Sequence, residues 1–303
     1  MNSKVNIIIP TYNRKFLLEK TINSILQQTY TNYEIIVVDD GSNDGTADVL
    51  NKFTSANLKY HFSENSKNIA RLRNIGIMLS DGELIAFCDD DDVWDPDKLM
   101  QAIGYIKNYD VVCSNARIID VKDNIKQERY FWEYYKDTVL TPKELLKYNC
   151  ILTPTVVLKK DILLQEGLFD ETNFSNHLED YDLWLRIIKK VNICMIGKEL
   201  VSIRIHDRNT TNDYSLRESI LCKSIQLIEN FNYASKKRYN FSVKVGVTRY
   251  YLGMIQLNIS KVNSRFFSYF TKFIIHFFDP RICFYFLYRN VRKLYLQTVS
   301  KRI

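Results

Sequence analysis

At 303 residues, 46% hydrophobic and 25% charged, the chain is long enough to bury one substantial core or two modest ones, which excludes a disordered or fibrous protein. Six scattered cysteines without a C-x-x-C spacing suggest neither a disulfide framework nor a zinc site, and they fit a reducing cytosol. No stretch reaches 18 uncharged apolar residues and the run Val5 to Ile9 is too short for a secretory h-region, so neither a membrane span nor a leader is expected.

The net charge of +7 is unevenly placed: residues 215–303 hold 16 Lys and Arg against 3 Asp and Glu, or +13, leaving 26 against 32, or −6, for residues 1–214. This asymmetry predicts a boundary near Asp213-Tyr214-Ser215, with an acidic body at 1–214 and a basic helical region at 215–303 that suits an anionic partner.

In chain order, Val5 to Ile9 reads as a buried parallel strand ending at Pro10-Thr11-Tyr12-Asn13, and Leu18, Ile22, Ile25 and Leu26 recur at helical spacing over Phe16 to Gln27. Glu34 to Val38 predicts a second strand ending in Asp39-Asp40-Gly41-Ser42, followed by a helix of about ten residues from Thr46. Leu58 to Phe62 predicts a third strand, Ile69 to Leu79 a helix, and Glu83 to Phe87 a fourth strand. Strand and helix alternating over short connections predict a doubly wound, mostly parallel sheet.

The fourth strand runs into Asp89-Asp90-Asp91-Asp92, four adjacent carboxylates that need a cation or hydrogen-bond donors to stay ionised in a folded chain. A hard divalent ion, Mg2+ or Mn2+, suits such oxygens and keeps positions open for substrate phosphates. The alternative is a solvated turn capping a helix that begins at Pro96-Asp97, with Asp95 as N-cap and Pro96 at N1. The C-terminal ends of parallel strands share one edge, so Pro10 to Tyr12, Asp39-Asp40 and Asp89 to Asp92 are expected to line one crevice. The absence of G-x-G-x-x-G after the first strand and of G-x-x-x-x-G-K-[ST] argues against a dinucleotide fold or a P-loop.

Further along, Asp110 to Asn115 predicts a strand, and Thr141-Pro142-Lys143-Glu144 carries an N-cap Thr, an N1 Pro and an N3 Glu. Leu178, Tyr181, Leu185 and Ile188 share one face of a helix over 178–190, with Glu179-Asp180 in the first turn, where the helix dipole favours carboxylates. Val201 to His206 predicts a strand ending beside Asp207-Arg208-Asn209.

The ordered set IIIPTYNR, IIVVDDGSNDGT, ARLRN, FCDDDDVWDP, GLFDE and LEDYDLWLR, over roughly residues 4–210, resembles the nucleotide-sugar glycosyltransferases of family 2 with the GT-A fold. Two departures stand out: Leu72 and Arg73 where many relatives have Ala before Arg-Asn, and Asp90 where a small residue is commoner. The resemblance implies a sheet of GT-A type with a C-terminal helical extension. It also implies inverting, metal-dependent transfer from a nucleotide diphosphate sugar, UDP-linked, to an acceptor hydroxyl in surface polysaccharide or glycolipid synthesis. By resemblance, Pro10, Thr11, Tyr12, Arg14, Asp39, Arg73 and Asp90 belong to the nucleotide-sugar site, with Asp39 accepting from a uracil-like N–H. Asp91 is the first choice of metal ligand, Asp89 the other end of a D-x-D and Asp92 an alternative. His206 is expected to close over diphosphate and metal, with Arg204 a weaker candidate. Asp180 stands at the catalytic base position, with Glu179 and Asp182 as runners-up, and Asp40 reads as a cap of the Gly41-Ser42 turn.

Phe131 to Tyr135 is either a sugar-stacking lid or a cover over the sheet. The aromatic and basic run 266–289 is either an interfacial surface for anionic lipid at the inner face of a cell membrane or a set of packing helices. No nucleic-acid partner is expected, because no recognition fold accompanies the charge. The competing functions are a sugar-phosphate nucleotidyltransferase, which would want a Gly-rich basic phosphate loop after the first strand, and a catalytically silent sugar-binding scaffold.

Overall fold

The computed structural model describes residues 3–53, 57–174, 177–206, 214–258, 264–277 and 279–289. Asp207-Arg208-Asn209 and the Asp213 side of the proposed boundary lie outside the described residues. The chain divides into two compact units, 1–140 with 151–206, and 141–150 with 207–303.

In the first unit, β1 (Val5–Thr11), β2 (Tyr33–Asp39), β3 (Leu58–Phe62) and β4 (Leu84–Phe87) form a parallel sheet in the order β3-β2-β1-β4. The connections are α1 (Lys15–Leu26), α2 (Thr46–Leu50) and α3 (Ile69–Leu79). The helix expected from Thr46 is short: five α-helical residues pass into a single 3-10 turn at Asn51–Phe53.

Both faces of β1, β2 and β4 are covered, which is why these strands read as mostly apolar runs, whereas the edge strand β3 is half exposed. Val5, Ile7 and Ile9 join Leu18, Ile22 and Ile25 of α1 in the main core, while Ile36, Val38 and Leu72 pack on the other side. Truncating Ile22 to Ala would cost about 2–5 kcal/mol by this burial. On that second face α3 lies close on β1, because a Cβ at Gly76 would stand 2.4 Å from Ile8 Cγ2.

Beyond β4 the sheet is mixed. β5 (Val93–Trp94), β6 (Val111–Ile119), β9 (Val157–Lys159) and β10 (Ile193–Arg204) extend it in the order β4-β9-β6-β10-β5, with β9 antiparallel to both neighbours. β6 and β10 run parallel, and β7 (Ile125–Gln127) and β8 (Thr138–Leu140) pair off the main path. The strand expected at Val201 begins eight residues earlier, at Ile193, and carries register shifts around Glu199. β5 pairs antiparallel with β10 through Val201↔Trp94 and Ser202↔Val93, which lays the end of β10 beside the acid loop.

Three further helices complete this unit: α4 (Lys98–Ile106), α6 (Lys160–Glu166) and α7 (Glu179–Ile187). α4 begins two residues later than expected. Asp97 is its N-cap, and the Asp95 side chain instead accepts from the Asp97 backbone N–H at 3.2 Å. The aromatic stretch is partly core: Phe131 and Tyr134 are buried, and Asn115 Nδ2 donates to both their carbonyls.

In the second unit, α5 (Pro142–Leu145) carries the expected capping box between Thr141 and Glu144. It groups with α8 (Tyr214–Ala234), α9 (Asn240–Asn258), α10 (Ser264–Phe277) and α11 (residues 280–289). Two contacts explain why 141–150 leaves the N-terminal body. Gly246 admits the Leu146 carbonyl, which would lie 2.2 Å from any Cβ there, and the guanidinium of Arg249 stands 4.1 Å over the Tyr148 ring. No described helix is long and apolar enough to cross a membrane.

Candidate active site

The parallel strands bring three chain segments to one sheet edge. β1 ends at Thr11, whose hydroxyl donates to Asp90 Oδ2 at 2.8 Å, so the first loop and the acid loop are joined directly. Pro10 lies buried within β1, and Tyr12 is 45% exposed just past its end. Across β2, the Thr11 carbonyl accepts from the Asp40 N–H at 2.9 Å.

Asp39 and Asp40 divide the work of holding the second loop, and it is Asp39, not Asp40, that caps the Gly41-Ser42 turn. Asp39 is wholly buried; its Oδ1 accepts from the Ser42 N–H at 2.9 Å and its Oδ2 from the Tyr60 hydroxyl at 2.9 Å. Burial and this carboxylate push the Tyr60 phenol up to about 12. Asp40 instead anchors the loop after β3, accepting from the N–H groups of Ser66 and Lys67 at 2.7 and 2.9 Å. The turn between them needs Gly41 in the left-handed region at φ 81°.

The four carboxylates after β4 have four different surroundings. Asp89 is the most open, with a side chain 34% exposed that accepts from Arg73 at 3.1 Å. Asp90 is buried and takes Thr11 on one oxygen and Arg14 on the other, at 2.9 Å. Asp91 Oδ2 receives both Arg14 Nη1 at 2.8 Å and His206 Nε2 at 2.9 Å. Asp92 faces away from this group; its Oδ1 accepts from the Arg204 N–H at 3.0 Å, and its carbonyl from the Thr21 hydroxyl at 2.8 Å.

Burial lifts Asp90 to about 7 against the pull of Arg14, and it lifts Asp92 well above the carboxylate range, reinforced by Asp91. Asp92 therefore reads as a structural pin of β10. Arg204 is a second pin, 1% exposed, donating to the Asp91 and Asp120 carbonyls at 2.9 and 3.0 Å and pairing with Asp123.

The other wall comes from α7. Its N-cap Leu178 sits in the left-handed region at φ 82°, which turns Glu179 inward. Glu179 Oε1 meets Arg73 Nη1 at 2.5 Å, while its Oε2 is buried with no hydrogen-bond partner among the described residues. Burial outweighs the Arg73 attraction and pushes Glu179 up to about 7. Asp180 accepts from the Thr153 hydroxyl at 3.1 Å and the Tyr181 N–H at 2.6 Å. Asp182 pairs with Arg186 one turn on, at 2.8 Å.

Arg73 is 3% exposed and stands 5.5 Å from the Phe169 ring. It joins Asp89 to Glu179 and so brings the acid loop and the first turn of α7 into one site. Thr153 and Tyr60 belong to the site and carried no signal in the sequence, since each acts through a partner more than 20 residues away.

Among the described residues no three of His, Cys, Asp and Glu stand close enough to hold a metal ion by themselves. The donor chemistry nevertheless fits a hard divalent ion. Asp91 and the more open Asp89 offer carboxylate oxygen, and such an ion fills its remaining positions with water and phosphate.

Residues 6–164 match the family model described as Glycosyl transferase family 2. The Escherichia coli UDP-Glc:alpha-D-GlcNAc-diphosphoundecaprenol beta-1,3-glucosyltransferase WfgD is 33% identical over 195 residues, 64% of this chain and 73% of that protein. The Bacillus subtilis putative teichuronic acid biosynthesis glycosyltransferase TuaG is 28% identical over 207 residues, 65% of this chain and 79% of that protein. The chain spans 66% of an uncharacterized Rickettsia typhi glycosyltransferase and 31% of one from Rickettsia bellii.

Among solved structures, S. aureus TarS 1-349 in complex with UDP-GlcNAc aligns with a TM-score of 0.60 at 18% identity, over 97% of this chain and 92% of that one. The Pyrobaculum calidifontis mannosyltransferase PcManGT, in complex with GDP-Man and Mn2+, aligns at 0.56 and 14%, over 98% and 86%. The fold is thus of GT-A type, a curled, mixed and largely parallel sheet with C-terminal helices. With the family model covering more than half of its length, the chain belongs to glycosyl transferase family 2.

Proposed function

We propose that the chain transfers a glycosyl group from a UDP-sugar to an acceptor hydroxyl, with inversion at the anomeric carbon. The observation that carries this reading is the Arg73 bridge, which joins the acid loop of a nucleotide-sugar site to the helix turn bearing Asp180. Tyr12, exposed just past the end of β1, packs on the nucleotide, and the buried Pro10, Thr11 and Asp39 at the ends of β1 and β2 shape the edge that receives it. Asp180 takes the acceptor proton as the acceptor oxygen bonds to the anomeric carbon. The bond from that carbon to the diphosphate oxygen breaks, and its electron pair leaves with UDP. Asp182 pairs with Arg186 and Glu179 with Arg73, while the Thr153 hydroxyl orients Asp180, and the role falls to Asp180. A divalent ion, Mn2+ or Mg2+, held by Asp91 with Asp89 and flanked by His206, supplies Lewis-acid stabilisation of the leaving diphosphate when bound.

The acceptor we propose is a glycan or lipid-linked sugar of the cell surface, reached at the inner face of the membrane. The names of the E. coli and B. subtilis relatives support it, since one names an alpha-D-GlcNAc-diphosphoundecaprenol acceptor and the other a putative place in teichuronic acid biosynthesis. Exposed Phe267, Phe270 and Ile275 on α10, and Phe284, Leu287 and Tyr288 on α11, support contact with an anionic bilayer, together with the +13 of residues 215–303. Incubation of the full chain with a panel of nucleotide sugars and Mn2+ tests the reading. Release of UDP, and its loss with EDTA, is expected; no release from any donor would overturn it.

A further inference from the structure

Arg14 lies in the loop between β1 and α1, immediately after Asn13, whose φ of 52° turns the chain toward the acid loop. Its Nη1 donates at once to Asp90 Oδ1 at 2.9 Å and to Asp91 Oδ2 at 2.8 Å. The two carboxylates differ in what else holds them. Asp90 is closed off on its other oxygen by Thr11, and its side chain is 5% exposed. Asp91 presents one oxygen to two donors, Arg14 and His206. That oxygen belongs to the carboxylate assigned above to the divalent ion, and a guanidinium already neutralises it.

We infer that Arg14 is a built-in counter-ion of the acid loop, which a divalent cation must displace from Asp91, so that the ion and the donor diphosphate bind together. The inference rests on Asp91 being a metal ligand, as proposed above. An ion arriving alone at Asp91 has to break a charge-assisted hydrogen bond without any replacement for the guanidinium, so it binds weakly. An ion arriving with a diphosphate brings phosphate oxygens that accept from the released Arg14 Nη1, while Asp90 keeps the side chain tethered. Arg14 thereby makes each ligand raise the affinity of the other, and such a coupling is reciprocal. Its side chain is 23% exposed, so it borders solvent. The arrangement also gives Asp90 a purpose: it holds Arg14 in both states without itself being a metal or sugar ligand.

The test is titration of the full chain with Mn2+, free ion being read by electron paramagnetic resonance, with and without UDP. Three proteins are compared: the parent, Arg14→Gln and Arg14→Lys. Without UDP, Arg14→Gln is expected to bind Mn2+ about tenfold more tightly than the parent, the worth of one competing charged hydrogen bond. The gain in Mn2+ affinity that UDP confers is expected to shrink by a similar factor. Arg14→Lys keeps the charge but on a shorter, more strongly hydrated head than the Nη1 that meets both carboxylates, so it is expected to fall between the two, and it serves if Arg14→Gln fails to fold. Unchanged or weaker Mn2+ binding in the folded variants would overturn the inference while leaving the metal reading in place. A parent that binds no Mn2+ even with UDP would overturn both.

Discussion

Arg73 and Glu179 meet at 2.5 Å in the protein interior, more than 100 residues apart in the chain, and the other arm of the same guanidinium holds Asp89. Breaking such a buried pair from one side leaves uncompensated charge and costs about 3–5 kcal/mol. Arg73→Met is expected to lose stability on that scale, read from urea midpoints. The double variant Arg73→Met with Glu179→Leu is expected to recover part of the loss, because the orphaned carboxylate is gone. A single-variant loss below about 1 kcal/mol would mean that the bridge does not hold the two walls together.

Asp91→Ala is expected to remove the Mn2+ dependence of UDP binding, since Asp89 and His206 cannot restore the same oxygen geometry. Calorimetry with UDP, with and without Mn2+, checks it. An Mn2+ effect equal to that of the parent would move the ion to another carboxylate.

Much of this architecture was legible from the chain. β1, β2 and β4 are mostly apolar because they are covered on both faces, apart from the buried Asn6–Glu34 hydrogen bond, and each strand's acids or polar loop fall where the apolar run stops. The capping box at Thr141 was equally plain, being a local pattern. What escaped notice depends on partners far away. β9 is three residues long and is placed by antiparallel pairing with β4 and β6, and β5 is two residues held by β10. The start of β10 was hidden by Gly197, Lys198 and Glu199, which fall in its irregular stretch. In the site, four consecutive aspartates look alike as a string. Only the fold separates Asp92, turned toward Arg204, from Asp91, turned toward Arg14 and His206.

Lys98, the first residue of α4, offers a pH-dependent prediction. Its ammonium is buried 3.6 Å over the Trp94 ring, with no hydrogen-bond acceptor among the described residues, and burial lowers it to about 7. Between about 7 and the unfolded value of 10.5 the unfolded chain binds the extra proton, so stability rises with pH across that window. Below about 7 both states are protonated and the penalty of the buried charge is fully present. Lys98→Met is therefore expected to be more stable than the parent at pH 7, with the difference closing toward pH 10.5. Parallel denaturation curves at the two pH values check this, and a pH-independent difference would contradict it.

The membrane surface is tested with the intact chain. Co-sedimentation with vesicles containing anionic lipid is expected, weakened by added salt, since each Lys or Arg near such a surface contributes about 1 kcal/mol. Phe284→Ser with Leu287→Ser, both exposed on α11, is expected to reduce it further. Equal binding to neutral vesicles would remove the electrostatic part of the argument.

The most direct test of the account is to measure donor affinity and turnover side by side in Asp180→Asn. Asn keeps the shape and most of the hydrogen bonding to Thr153 but cannot take the acceptor proton. With UDP-sugar and Mn2+, the donor Kd is expected to stay within about threefold of the parent while kcat falls by about 10²–10⁴, the usual worth of a positioned general base. Turnover within about threefold of the parent would contradict the account and place the base on another residue.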